Sequence, residues 1–128
     1  MEDWSGSNDR LEIAVYQGVV ASHILINKNL VQFYKSGVVS NEACLEGVPN
    51  ERIATVIATT GYARNGVNLE SLGLGQGVSK PFWQVRWAYG PNYGVYGSMW
   101  IEKWSQSSST YGPCNIHTVN RLFRMKRY

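Results

Sequence analysis

The sequence predicts an α+β domain, mostly β, in which one short helix comes first and antiparallel strands follow. Three observations predict it. Five Trp, eight Tyr and thirteen Gly in 128 residues favour strands joined by many turns. Short β-branched or aromatic runs recur at 19–26 (VVASHILI), 53–60 (IATVIATT), 82–88 (FWQVRWA) and 98–104 (SMWIEKW). Clear helical spacing is confined to a stretch near the N-terminus. With 44% apolar and 16% charged residues, the chain is a single folded domain large enough for a real core.

Taken in order, residues 1–8 are polar and read as a flexible leader, with the domain itself over 9–128. Ser7 or Asn8 can cap a helix running to Gln17, where Leu11, Ala14 and Val15 share a face and Gly18 ends the run. The strand at 19–26 is buried on at least one face. Residues 29–36 (NLVQFYKS) suit a short helical turn closed by Gly37, and the strand at 53–60 ends at Gly61-Tyr62. Between 64 and 80 four glycines mark a long loop, with a hairpin over 67–74 as one way of ordering it. Strands at 82–88 and 98–104, a polar loop at 106–110 and a last strand near 115–123 complete the domain.

Composition excludes several classes of function. The net charge of +3 comes largely from Arg121, Arg124, Lys126 and Arg127 near the C-terminus. A nucleic-acid reader carries a denser basic face, so no nucleic-acid partner is expected. No apolar run approaches a membrane span, and the acidic start Met1-Glu2-Asp3 is not a signal peptide. Cys44 and Cys114 fit either a disulfide or two buried thiols. His23 and His117 bring the count of zinc-type ligands to four, but no pair has ligand spacing, so neither metal nor cofactor is expected.

The most distinctive stretch is 81–97, PFWQVRWAYGPNYGVYG, an aromatic strand entering a turn with glycines at 90, 94 and 97. From Trp83 through Gly97, with Trp83 on its first tryptophan, it follows the segment YWIVKNSWGPNWGENGY of the papain-like cysteine proteases in register and without a gap. The resemblance extends further. Residues 31–38 (VQFYKSGV) are similar to the family's FQFYKSGVY, residues 53–62 to its HAVLAVGYG strand, and 114–116 (CNI) to its CGI. The chain therefore resembles the C-terminal half of that family, cathepsin L-like, over about 9–123.

That resemblance implies an antiparallel β half-barrel with a short N-terminal helix, and a disulfide between Cys44 and Cys114. It also locates the chemistry. The family needs a cysteine thiolate, a histidine sharing its proton and an asparagine orienting the histidine. The nucleophile's motif QGxCGSCW does not occur in this sequence. The histidine position falls on Thr55, which is no base near neutral pH. The asparagine position falls on Trp87, and the tryptophan that covers it in the family is Tyr89. His23, in the neighbouring strand, is either a functional group or simply packed or solvated.

The implied function is a non-catalytic pseudo-protease module that binds protein or self-associates through the former cleft face, with no enzyme activity. Candidate residues on that face are His23, Thr55, Trp87, Tyr89 and Tyr93, and the bulk of Trp87 would fill the cleft. The alternative is the C-terminal chain of a two-chain protease whose other chain carries the nucleophile. A disulfide would point to a secreted or lysosomal/vacuolar setting.

Overall fold

The computed structural model describes residues 2–46, 51–104 and 111–123. Within them lies one seven-stranded sheet. Strands β1 (Glu2–Asp3), β2 (Val19–Asn27), β3 (Val38–Val39), β4 (Arg52–Ala63), β5 (Phe82–Arg86), β6 (Ser98–Glu102) and β7 (Asn120–Phe123) are arranged in the order β1-β7-β2-β4-β5-β6-β3. Helices α1 (Asn8–Gln17), α2 (Lys28–Phe33) and α3 (Asn41–Cys44) are short. The expected mostly β fold is present, but it is not a plain antiparallel meander. β7 returns to pair with β2, and β3 pairs with β6 in parallel.

The first helix forms where capping and periodicity agree. Ser7 Oγ accepts the Arg10 N–H at 3.2 Å, and Leu11, Ala14 and Val15 are buried against the sheet. Gly18 closes it by donating its N–H to the Ala14 carbonyl at 3.1 Å. The same helix carries a buried ionic cluster. Lys103, fully buried, pairs with Glu12, donates to Asn8 Oδ1 at 3.0 Å and lies 4.9 Å from the Trp83 ring centroid. Arg64 reaches Glu12 from the solvent side at 2.7 Å. Burial opposes ionisation of Glu12 most strongly, yet hydrogen bonds and charge from Arg64 and Lys103 together outweigh it and hold the carboxyl below its usual range.

β2 alternates strictly. Val20, Ser22, Ile24 and Ile26 are buried, whereas Val19 and His23 face out. It pairs with β4 from Val20↔Thr59 to Asn27↔Arg52, so β4 inherits the same two faces. β4 pairs with β5 only from Ala58 onward, with a register shift between Thr59 and Gly61. The edge of β4 that faces β5 is therefore unpaired toward Arg52, and that gap positions the site described below. The core is completed by Trp83, Val85, Met99, Ile101, Ile116 and Leu122.

The disulfide implied by the family resemblance is formed: Cys44 and Cys114 are bonded, with Cα atoms 5.5 Å apart, and both are fully buried. Several sequence expectations differ from the structure. The leader is tied down, since Glu2 and Asp3 pair with Leu122 and Arg121 and the Trp4 N–H reaches the Asn120 carbonyl at 2.9 Å. The 67–74 stretch is not a pair of hairpin arms; it holds a 3-10 turn at Glu70–Leu72 and one bridge, Asn68 to Val78. The last strand starts at Asn120, not near 115. The bonded Cys114 and its neighbour Asn115 have positive φ, and Cys114 N–H is held by Asn41 Oδ1 at 2.9 Å, which breaks the strand there. The 106–110 loop and the basic residues Arg124, Lys126 and Arg127 lie outside the described residues.

Candidate functional site

Where β5 ends at Arg86, the chain leaves the sheet and its next aromatic residues line up beside the unpaired edge of β4. Trp87 stacks on Tyr89 with ring centroids 5.8 Å apart and planes 17° from parallel. Tyr89 meets Tyr93 at 5.0 Å, and Tyr93 meets Tyr34 at 6.1 Å. The result is a continuous aromatic row. Its inner end is fixed by hydrogen bonds: Tyr93 Oη donates to the Val31 carbonyl at 2.7 Å, and Tyr34 Oη donates to the Gly37 carbonyl at 2.7 Å while accepting the Trp100 N–H at 3.2 Å.

The turn that aims this row depends on Gly94. Its φ is +55°, and a Cβ there would overlap the Ser98 carbonyl oxygen and the Tyr34 ring. Burial pushes the Tyr34 phenol up to about 12, against the opposing hydrogen bond from the Trp100 backbone. Tyr93 is raised too, first by burial and then by the neighbouring Tyr89 and Tyr34. Neither phenol is a base or nucleophile near neutral pH.

Two clefts flank Tyr89. The first, about 570 Å³, is bounded by Val19, Thr55, Val56, Arg86, Trp87 and Phe123, among others. The second, about 500 Å³, lies between Lys28, Val31, Gln32, Ile53, Tyr89 and Tyr93. Trp87 walls the first cleft and leaves it open. Its indole Nε1–H is buried and without a hydrogen-bond partner.

The five residues expected on the binding face are thus divided. Thr55, Trp87 and Tyr89 line the first cleft, whereas Tyr93 lines the second and shares Tyr89 with it. His23 lines neither. It is exposed on β2 opposite Val56, while Thr55 stands opposite Ile24, so His23 and Thr55 point to opposite faces of the sheet. Sequence reasoning missed Val56, Phe123 and Arg86. Alternation along β4 marks Val56, but bringing Arg86 and Phe123 together needs the cross-strand register.

The chemistry available is limited. Both cysteines of the chain are in the disulfide, so no thiolate exists here. The residues bounding the first cleft include a hydroxyl, an indole N–H, a phenol and a guanidinium, but no carboxylate and no imidazole. Among the described residues no three metal-ligating side chains converge, and no helix is long and apolar enough to cross a membrane. Apolar and aromatic walls with one cation are suited to binding.

Comparison with known proteins adds the following. The family described as papain family cysteine protease matches residues 2–121. The structure is similar to bromelain from Ananas comosus in complex with the E64 inhibitor, with a TM-score of 0.67 at 18% identity over 97% of this chain and 49% of that one. It is similar to a Carica candamarcensis cysteine protease, also with E-64, at TM-score 0.66 and 12% identity, covering 98% of this chain and 48% of the other. A ragweed pollen allergen cysteine protease in its proform matches at TM-score 0.66 and 21% identity, over 98% of this chain and 32% of that chain. The chain thus spans about half of the two plant enzymes and about a third of the proform. No curated protein matches it.

Proposed function

The chain belongs to the papain family of cysteine proteases, and we propose that within this family it is a non-catalytic module that binds protein through the first cleft and the sheet face beside it. One observation carries the proposal. The only two cysteines are locked in the Cys44–Cys114 disulfide, while the motifs put Thr55 and Trp87 at the family's histidine and asparagine positions. The base and the residue that orients it are both replaced and this chain holds no free thiol, and such groups act as a unit. The exposed apolar residues Val19, Val56 and Phe123 around the cleft support binding in place of chemistry.

The alternative, a chain of a two-chain protease, draws on the coverage of about half of each plant enzyme. It still leaves Thr55 where a base is required. The disulfide supports an oxidising setting, secreted or lysosomal/vacuolar in kind.

The test is a double variant, Thr55→His with Trp87→Asn, assayed on a dipeptidyl substrate beside an apolar dye-binding measurement. The double variant is expected to remain inactive, since no thiolate is present. The wild-type protein is expected to bind dye, and Val56→Asp to reduce that binding. Turnover by the variant, or a wild-type surface that binds no dye, would contradict the proposal.

A further inference from the structure

The turn that leaves β4 is pinned at both ends and free in its middle. Ala63 is paired with Phe82 on β5. Val67 is locked to Ser79 by two bonds: its N–H donates to Ser79 Oγ at 3.0 Å, and its carbonyl accepts the Ser79 N–H at 2.9 Å. Between those pins stand only Arg64, Asn65 and Gly66. Arg64 and Asn65 are exposed. Gly66 has a φ of +73°, and a Cβ there would lie 2.0 Å from the Ser79 carbonyl oxygen, so no side chain fits.

Asn65-Gly66 is the one place in the chain where glycine follows asparagine. Asparagine is thermolabile because the next residue's amide nitrogen can attack its side-chain carbonyl carbon. Ring closure is least obstructed when that next residue carries no side chain. The attacking nitrogen is loosely held, since the Gly66 N–H reaches the Ala63 carbonyl at 3.4 Å, beyond the ordinary range. The exposed Asn65 carboxamide makes no hydrogen bond among the described residues. Asn68, in the same loop, is the opposite case. Its Oδ1 accepts the Glu70 N–H at 3.0 Å, and leucine follows it.

In the reaction the Gly66 nitrogen bonds to Asn65 Cγ, the Cγ–Nδ2 bond breaks, and ammonia leaves with the Gly66 amide proton. Water then opens the cyclic imide at either carbonyl. One opening leaves aspartate. The other leaves isoaspartate, whose main chain runs through the former side chain and is one carbon longer. With Ala63 and Val67 fixed and Gly66 against Ser79, Arg64 has to take up that length. Arg64 is the residue that forks onto Glu12, Nε to Oε1 at 3.2 Å and Nη2 to Oε2 at 2.7 Å, and so ties the turn to α1.

We infer that Asn65 is a site of spontaneous deamidation, and that its isoaspartyl product draws Arg64 off Glu12 and unties the β4 turn from helix α1. The inference stands independently of the binding-module reading.

The test incubates the folded protein in mildly alkaline ¹⁸O-water. It is then reduced and cut after lysine, which keeps residues 36–80 in one peptide for electron-transfer fragmentation. Position 65 is expected to gain ¹⁸O as a mixture of aspartate and isoaspartate. Conversion of Asn68 should be at least about tenfold slower. Asn65→Gln, which would need a larger ring, should stop the reaction. Urea unfolding of the chromatographically separated isoaspartyl fraction should show a lower midpoint than the unmodified protein. Asn65→Asp carries the charge without the extra carbon and should unfold close to wild type. In Arg64→Ala the isoaspartyl and unmodified forms should unfold together.

No conversion at Asn65, aspartate without isoaspartate, or equal rates at Asn65 and Asn68 would overturn the site. An isoaspartyl fraction with the unmodified midpoint, or a loss that Asn65→Asp reproduces or that persists in Arg64→Ala, would overturn its action through Arg64.

Discussion

Replacing Tyr34 by Phe isolates the anchor of the aromatic row. The hydroxyl donates to the Gly37 carbonyl and accepts the Trp100 N–H, tying the end of α2 to β6. The Gly37 carbonyl belongs to an exposed residue and can turn to water, whereas the Trp100 N–H lies in a buried residue and would lose its acceptor. A buried donor left unpaired costs about 1–3 kcal/mol, so the variant should be about 2 kcal/mol less stable at pH 7. A second signature separates this from generic damage. The phenol of folded Tyr34 is raised to about 12 from an ordinary 10. Between those values the unfolded chain has released a proton that the folded chain keeps, so stability falls as pH rises. The loss approaches about 2–3 kcal/mol by pH 12. Urea unfolding from pH 7 to 11.5 reads both effects. The wild-type curve should fall more steeply than that of Tyr34→Phe above pH 10; Tyr93 leaves part of the slope in each. A variant within 0.5 kcal/mol of wild type at pH 7, or parallel alkaline curves, would refute the assignment of that anchor.

Other outcomes follow from the same contacts. Cutting the Cys44–Cys114 bond by replacing both residues with Ala opens a loop with a sequence separation of 70, and chain entropy puts the loss at about 4 kcal/mol; chemical denaturation checks it. Lys103→Ala removes the buried partner of Glu12 and leaves only the exposed Arg64, so a loss of about 3 kcal/mol is expected in the same assay. Because the folded carboxyl of Glu12 is depressed, its contribution is present above pH about 4.5 and is lost as pH falls through the folded value. Lys103→Ala should therefore flatten the acid limb of the stability profile.

Much of the fold was legible because local signals agreed with the tertiary result. Ser7, the Leu11-Ala14-Val15 face and Gly18 specify α1 from end to end. The apolar run at 19–26 marks β2 as a strand buried on at least one face, and the glycines of 90–97 specify the turn. The pairing of Cys44 with Cys114 was legible through the family motifs, while composition left bridge and thiols equally open. Other features were hidden for definable reasons. Glu2 and Asp3 are held by backbone pairing, which their polar side chains do not advertise. The burial of Lys103 depends on Glu12 and Trp83 from distant segments. The site was half legible: Thr55, Trp87 and Tyr89 do share a cleft, but the parity that turns His23 away from Thr55 emerges only once β2 is registered on β4.

Binding without catalysis by this papain-family chain is checked by intact-mass analysis after incubation with an active-site-directed epoxide. A dipeptidyl substrate is assayed in parallel. An unchanged mass and no hydrolysis are expected, alone or with any candidate partner chain present. A stoichiometric adduct with accompanying turnover would contradict it.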